Sequence, residues 1–130
     1  MDIDSNSHVP IYEQIVDSVR AGIAAGIYRP GEMLPSLRTM ALELVVNPNT
    51  VQRAYEVLER EGIVYSRRGI GLFVTKQGVA SSRAKSKSAL LANLSGNIAS
   101  ARSAGLTDES IRATFEKILN RAAQHTRSKS

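Results

Sequence analysis

Apolar residues recur at helical spacing in three stretches of the first 60 residues. The first stretch follows Pro10, which suits the first turn of a helix, and its apolar positions are Ile11, Ile15, Val19 and Ile23. The second covers residues 37–44 and follows Ser36, a favourable N-cap. The third begins at Pro48 behind Asn47, another favourable N-cap, and its apolar face consists of Val51, Ala54, Tyr55 and Leu58. The pattern predicts three amphipathic helices, the last two joined by a short turn.

Two strand-like stretches, residues 63–67 and 71–75, follow the third helix. The turn between them contains Arg68 and Gly69, which is typical of a β-hairpin. Three helices followed by a hairpin make a winged helix-turn-helix, in which the third helix enters the DNA major groove by its N-terminal end. We therefore expect a mainly α fold with a small β-hairpin, the wing, and a DNA-binding domain at residues 9–75, the head.

The third helix carries polar residues at its start, outside the apolar face. These residues are Asn49, Thr50, Gln52 and Arg53. Arginine can grip guanine through two hydrogen bonds, and asparagine or glutamine can do so with adenine. A helix that only faces solvent would more often carry Glu and Lys pairs. A lone surface arginine is usually a solvated charge, but the position of Arg53 and Arg68 in this architecture favours contact with DNA.

The composition changes after Thr75. Residues 76–87 are polar, basic and rich in serine, so they predict a flexible or weakly helical linker. Residues 88–124, the tail, contain two helical patterns, and residues 125–130 are expected to fray. The apolar positions of the tail are Leu91, Leu94, Ile98, Ile111, Phe115, Ile118 and Leu119. Two helices of this size cannot bury these side chains against each other alone, so they need either the head or a second copy of the chain.

The formal charge of +5 is weak evidence for DNA binding, because the basic residues are unevenly distributed. Residues 1–75 carry seven Lys and Arg against nine Asp and Glu, whereas residues 76–87 carry four basic side chains and no acidic one. DNA binding would therefore depend on a few local arginines, with the linker adding nonspecific attraction to phosphate. The acidic N-terminus does not fit a secretion signal, and the apolar runs are too short to span a membrane. The sequence therefore predicts a cytoplasmic protein.

Several function classes lack the residues that they need. Because the chain has no cysteine, disulfides and thiolate chemistry are excluded. The two histidines, His8 and His125, lie in opposite terminal segments, and the carboxylates are scattered along helix faces. We therefore expect no enzyme active site, no cofactor and no metal site. The short helical tail offers no pocket of ligand size, so the sequence identifies no small-molecule effector.

Four ordered stretches carry a family resemblance: PIYEQI at 10–15, RPGEMLPSLRTMA at 29–41, VNPNTVQRAYEVLEREGIV at 46–64 and RRGIGLFV at 67–74. Together they resemble the gluconate-repressor (GntR) family of bacterial transcription regulators, and in particular its YtrA-type subfamily. The resemblance implies a homodimer, by family default a repressor, on a palindromic operator, and it favours the second copy as the cover for the tail. It also implies DNA contacts at Ser36, Arg38, Asn47, Asn49, Thr50, Gln52, Arg53, Arg68 and Gly69.

One position departs from the family pattern. The turn between the second and third helices reads Leu44-Val45-Val46, where the family usually has Leu-Gly-Val. Glycine is favoured there if the backbone takes a positive φ, a conformation that is poor for a β-branched residue. The departure predicts a strained or slightly reshaped turn.

Two alternatives stay open at this point. A winged helix can also serve as an architectural or protein-interaction module, and a footprint on a defined palindrome would separate that role from sequence-specific regulation. Ser36 is first of all a helix cap, and any phosphate contact comes in addition to that role.

Tyr55 and Tyr65 are expected to pack in the core or wing and not to stack on bases.

Overall fold

The computed structural model describes the backbone of residues 1–129 and the side chains of residues 1–124. The last helix extends to Lys129, whereas the sequence predicted fraying from residue 125, and residue 130 lies outside the described residues. The chain divides into two units, an N-terminal unit of Met1–Lys87 and a C-terminal unit of Ser88–Ser130. Its elements are, in order, α1 (Ile11–Ala24), α2 (Leu37–Leu44), α3 (Pro48–Arg60), β1 (Val64–Arg67), β2 (Gly71–Val74), α4 (Lys76–Ser103) and α5 (Asp108–Lys129).

The core of the N-terminal unit is formed where α1, α2 and α3 meet the wing. Each helix buries the face that its apolar spacing predicted, and the buried hydrophobic residues are Ile15, Val16, Val19, Ile23, Leu34, Met40, Ala41, Val51, Ala54, Tyr55, Leu58, Ile63, Val64 and Val74. Burial of this continuous apolar surface is the main force that holds the three helices together. The mainly helical winged helix-turn-helix expected from the sequence is confirmed.

Both predicted N-caps are present. The Ser36 hydroxyl oxygen accepts from the Thr39 backbone N–H at 3.1 Å, and the Asn47 side-chain oxygen accepts from the Asn49 backbone N–H at 2.8 Å. These bonds satisfy backbone donors that lack a partner within the helix. They fix where α2 and α3 begin, and therefore which residues stand at the exposed start of α3.

The wing is an antiparallel pair in which Val64 lies opposite Val74 and Tyr65 lies opposite Phe73. The chain before α2 extends this small sheet, because the Leu34 N–H donates to the Leu72 carbonyl at 2.8 Å and the Val74 N–H donates to the Glu32 carbonyl at 2.9 Å. These hydrogen bonds hold the wing against the rest of the unit through β2.

The structure differs from the flexible or weakly helical linker that the sequence predicted for residues 76–87. They form the first part of α4 and belong to the N-terminal unit, with Gly78 and Ser82 buried. The Thr75 hydroxyl oxygen accepts from the Gly78 N–H at 2.8 Å and caps this start, and Arg83 donates to the Ala24 carbonyl at the end of α1 at 3.3 Å. A polar, serine-rich composition does not prevent a helix when alanine and long basic side chains favour one.

The C-terminal unit is a pair of helices joined at Gly105, which has a φ of 89°. The Thr107 hydroxyl oxygen caps α5 by accepting from the Ser110 N–H at 3.1 Å. Arg102 and Asp108 form a two-pronged ion pair across the turn, with nitrogen–oxygen distances of 3.0 and 3.2 Å. Among residues 88–124 no side chain is buried.

Candidate nucleic-acid interface

The N-terminal half of α3 has an exposed polar surface, and contacts with neighbouring elements fix the orientation of this helix. Tyr55 ties α3 to the segment before α2, because its hydroxyl donates to the Pro35 carbonyl at 2.8 Å. Burial raises the pKa of the Tyr55 phenol well above its usual range, with smaller contributions from Tyr28 and Glu43. At the C-terminal end of α3, the buried Arg20 of α1 pairs with Glu61. These contacts anchor the middle and the C-terminal end of α3.

One hollow lies where the start of α3 meets the start of α1. Its lining brings together four of the predicted DNA contacts with two residues of α1: Asn47, Asn49, Thr50, Arg53, Ile11 and Tyr12. Asn47 and Asn49 are exposed and Thr50 is half-buried. The Asn47 oxygen is engaged in the cap, so its side-chain amine is the group left to meet a ligand.

Arg53 has a partner that the sequence did not indicate. Its guanidinium carbon lies 3.9 Å from the centre of the Tyr12 ring, the geometry of a cation–π contact. The charge stays exposed at the edge of the hollow while the ring limits its motion. The contact joins α1 to α3, so no spacing within α3 could have predicted it.

A groove on the other side of α3 separates the helix from the wing. Ser36 and Gln52 are the predicted contacts that line it, together with Glu56, Ile70 and Gly71. The Ser36 hydroxyl donates to the Thr39 hydroxyl oxygen at 2.8 Å. The Gln52 side-chain amine donates to a Glu56 carboxylate oxygen at 3.2 Å, one helical turn further along. The start of α3 therefore has polar groups on both flanks.

Three predicted contacts line neither concavity. Arg38 is exposed on α2, and Arg68 and Gly69 are exposed at the tip of the wing. Gly69 has a φ of 77°, which explains why glycine occupies this turn. The structure thus groups most of the predicted site at the start of α3 and leaves these three residues around it.

Arg67 is a basic residue of the wing that the sequence reading did not single out. Its guanidinium carbon lies 4.9 Å from the centre of the Phe73 ring and 5.8 Å from that of Tyr65, and these two rings stack at 5.6 Å. The alternation of a β-strand places Tyr65 and Arg67 on one face, so the spacing of two residues was the signal available. The cluster gives the outer face of the wing an ordered positive charge.

No cluster of three His, Asp or Glu side chains among the described residues could hold a metal ion. Within the same residues, no helix combines the length and the apolar character that a membrane crossing requires.

Known proteins resemble both the sequence and the fold. Residues 11–74 match the family of bacterial regulatory proteins named gntR. A GntR family transcriptional regulator from Listeria monocytogenes has a similar structure, with a TM-score of 0.72 and 35% identity, over 88% of this chain and 98% of the other. The chain belongs to the GntR family. The resemblance inferred from the four sequence stretches is confirmed.

Two further proteins are similar to part of this chain. The transcriptional repressor YtrA of Bacillus subtilis is 46% identical over 74 residues, which are 57% of this chain and 57% of that repressor. The match thus spans little more than half of that relative, and it supports the YtrA-type resemblance. The DNA-binding domain of AraR, solved in complex with the operator ORE1, has a TM-score of 0.51 and 26% identity over 56% of this chain and 89% of the other.

Proposed function

We propose that this GntR-family regulator is a sequence-specific DNA-binding repressor that acts as a homodimer on a palindromic operator, without catalytic activity. The observation that carries the proposal is the start of α3, where one face is buried in the core and the exposed face holds Asn49, Gln52 and Arg53 without an acidic residue in its first turn. When such a helix end enters a major groove, these polar side chains come within reach of base edges and phosphates.

The side chains divide into two roles in this proposal. Asn49 and Gln52 are exposed amides on opposite flanks of α3 and read base edges. The caps at Ser36 and Asn47, with Thr50 and the arginines Arg38, Arg53 and Arg68, hold the phosphate backbone and set the orientation of the helix. Gly69 lets the tip of the wing come close to the DNA. The AraR domain, which is known in complex with its operator, supports this use of the same fold.

The homodimer is proposed from the C-terminal unit, residues 88–124. Ile98 and Phe115 line an apolar hollow on this unit, and both are only half-buried. Leu91, Ile118 and Leu119 are 55%, 56% and 61% exposed. Exposed apolar surface of this kind marks an interaction site, and a second copy of the chain offers a matching surface through a twofold axis. Two linked DNA-binding units would then occupy the two halves of a palindrome.

The test compares Asn49→Ala and Arg53→Ala on an operator fragment and on random DNA of equal length. Asn49→Ala, which removes a proposed base contact, should lose roughly 1 to 3 kcal/mol on the operator and little on random DNA, whereas Arg53→Ala, which removes a proposed phosphate contact, should weaken binding to both fragments. Arg60→Ala, at the far end of α3, removes the same charge as Arg53→Ala and should cost much less on both.

The outcomes separate the roles. Equal weakening of Arg53→Ala on both fragments would assign this arginine to phosphate contact, as its stacking on Tyr12 suggests. If Asn49→Ala, Arg53→Ala and Arg60→Ala all bind both fragments like the unaltered chain, the start of α3 does not contact DNA. The proposal would then give way to an architectural or protein-interaction role.

A further inference from the structure

Glu56 is an acidic residue on the proposed DNA-binding surface. It is exposed on α3 and lines the groove between this helix and the wing, together with Gln52 and the wing residue Ile70. It follows Gln52 by four residues, so the two side chains meet on one helix face. A carboxylate in this place is repelled by the phosphates of DNA, and the core gains nothing from it because the side chain is exposed. A favourable contact of this carboxylate with DNA is therefore limited to a base edge that offers a hydrogen-bond donor.

The chemistry of a carboxylate restricts which base it can meet. An ionised carboxylate accepts hydrogen bonds and donates none. In the major groove, the donors are the exocyclic amines of adenine and cytosine, whereas guanine O6 and thymine O4 are acceptors. Glu56 would therefore attract adenine or cytosine and repel guanine or thymine at the base edge that it meets.

The bond between Glu56 and Gln52 extends this selectivity to the neighbouring side chain. A free glutamine can turn its side-chain amide either way and so present its oxygen or its amine to a base. Because Glu56 only accepts, it holds the amine end of Gln52 at 3.2 Å, and the Gln52 oxygen lies on the other side of the amide. The pair thus presents mainly acceptors to a base, namely the Gln52 oxygen and the Glu56 carboxylate oxygens. One N–H of the Gln52 amine is still free to donate.

We propose that Glu56 is a specificity-determining residue that, by fixing the amide of Gln52, makes the pair select adenine or cytosine at one position of each half-site. The inference rests on the proposed function, since it concerns how α3 reads DNA. Glu56 is a positioning residue for Gln52 and adds an acceptor of its own.

The test is selection of bound fragments from a random DNA library by four full-length chains: the unaltered protein, Glu56→Gln, Glu56→Ala and Glu59→Gln. Glu59 lines the same groove one turn closer to the end of α3, so Glu59→Gln removes an equal charge and leaves Gln52 and Glu56 in place. We expect the unaltered chain and Glu59→Gln to enrich adenine or cytosine at one half-site position. Both Glu56 variants should lose roughly tenfold in that preference, while all three variants bind random DNA more tightly because each has lost a negative charge.

Each other outcome has a distinct meaning. If the Glu56 variants keep the base preference of the unaltered chain at every position, the inference about Glu56 is wrong and the proposed function stands. If Glu59→Gln loses the preference as much as Glu56→Gln does, the effect is one of charge alone, and the inference is again wrong. If the unaltered chain enriches no sequence, the proposed function itself fails.

Discussion

Val45 adopts a backbone conformation that its side chain disfavours. It ends α2 with φ 56° and ψ 52°, and it is the one non-glycine residue with a positive φ in the part of the chain that the structure describes. The turn needs this conformation because the following N–H, of Val46, donates back to the Ala41 carbonyl at 3.1 Å and closes the helix. The departure from the family's glycine therefore has the consequence expected from the sequence.

Val45→Gly should leave stability unchanged or raise it by up to about 1.6 kcal/mol. The left-handed conformation costs an L-residue about 1 to 2 kcal/mol, and the extra freedom of glycine in the unfolded chain offsets about 0.4 to 1 kcal/mol of the relief. No packing is lost, since Val45 is 88% exposed. The neighbouring control, Val46→Gly, removes a half-buried side chain and should lower the melting temperature. A clearly lower melting temperature of Val45→Gly would show that the turn is not strained.

Residue types predicted the caps better than they predicted the stacking partners. Ser36 and Asn47 could be identified from the sequence because a cap forms with residues two or three positions away. The contact between Arg53 and Tyr12 could not, because it joins residues 41 positions apart and depends on how α1 packs on α3. Local hydrogen bonds are thus readable from the sequence, whereas contacts made by packing are not.

The start of α4 differs from the linker that the sequence predicted. Serine and lysine content indicated a linker, but the structure has a capped helix in which Gly78 and Ser82, four residues apart, are buried. Small residues at this spacing allow close approach to another backbone, and that was the signal available. The starts of α1, α2 and α3 and the bounds of the wing strands, by contrast, lie within one residue of their predictions, because apolar periodicity and turn residues agree there.

Gly78→Ala should destabilise the protein although alanine is the better helix former. A Cβ atom at Gly78 would lie 2.4 Å from the Ile63 carbonyl oxygen and 2.9 Å from the Ile63 Cα, so the backbone of α4 or of the wing would have to shift. Overpacking of this kind costs typically about 1 to 3 kcal/mol.

Gly96→Ala is the matched control in the same helix. A Cβ atom there meets nothing within 4 Å, so the helix preference of alanine should stabilise α4 by about 1 kcal/mol or less. Urea denaturation of the two variants should give changes of opposite sign. A Gly78→Ala chain as stable as the unaltered protein would show that α4 does not start against the wing.

The C-terminal unit is proposed to supply the dimer and, with it, most of the operator affinity. A single winged helix contacts few base pairs, and linking two of them makes the second contact intramolecular, a gain of roughly a hundredfold or more. The start of α4 packs on the N-terminal unit, so a shortened chain should end at Lys87 and not at Thr75. We expect that chain to fold, to be monomeric and to bind a half-site weakly.

Phe115→Asp in the full chain should convert the dimer to a monomer, because it would place an unpaired charge in the proposed contact. Lys117→Asp, at an exposed position of α5 that does not line the apolar hollow, changes the net charge by two units instead of one and should still leave the dimer intact. Light scattering at equal protein concentration gives the mass of each variant, and circular dichroism checks that α5 still forms. If Phe115→Asp stays dimeric, or the chain ending at Lys87 is itself a dimer, the C-terminal unit has another role.

The most direct test of sequence-specific binding is the ratio of the affinities of the full chain for its selected DNA site and for random DNA of equal length. Both affinities must be measured at one near-physiological salt concentration, because phosphate contacts weaken steeply as salt rises. We predict that selection yields a palindrome and that the chain binds it roughly a thousandfold or more tightly than random DNA. A ratio near one, with no shared sequence among the selected fragments, would contradict the account.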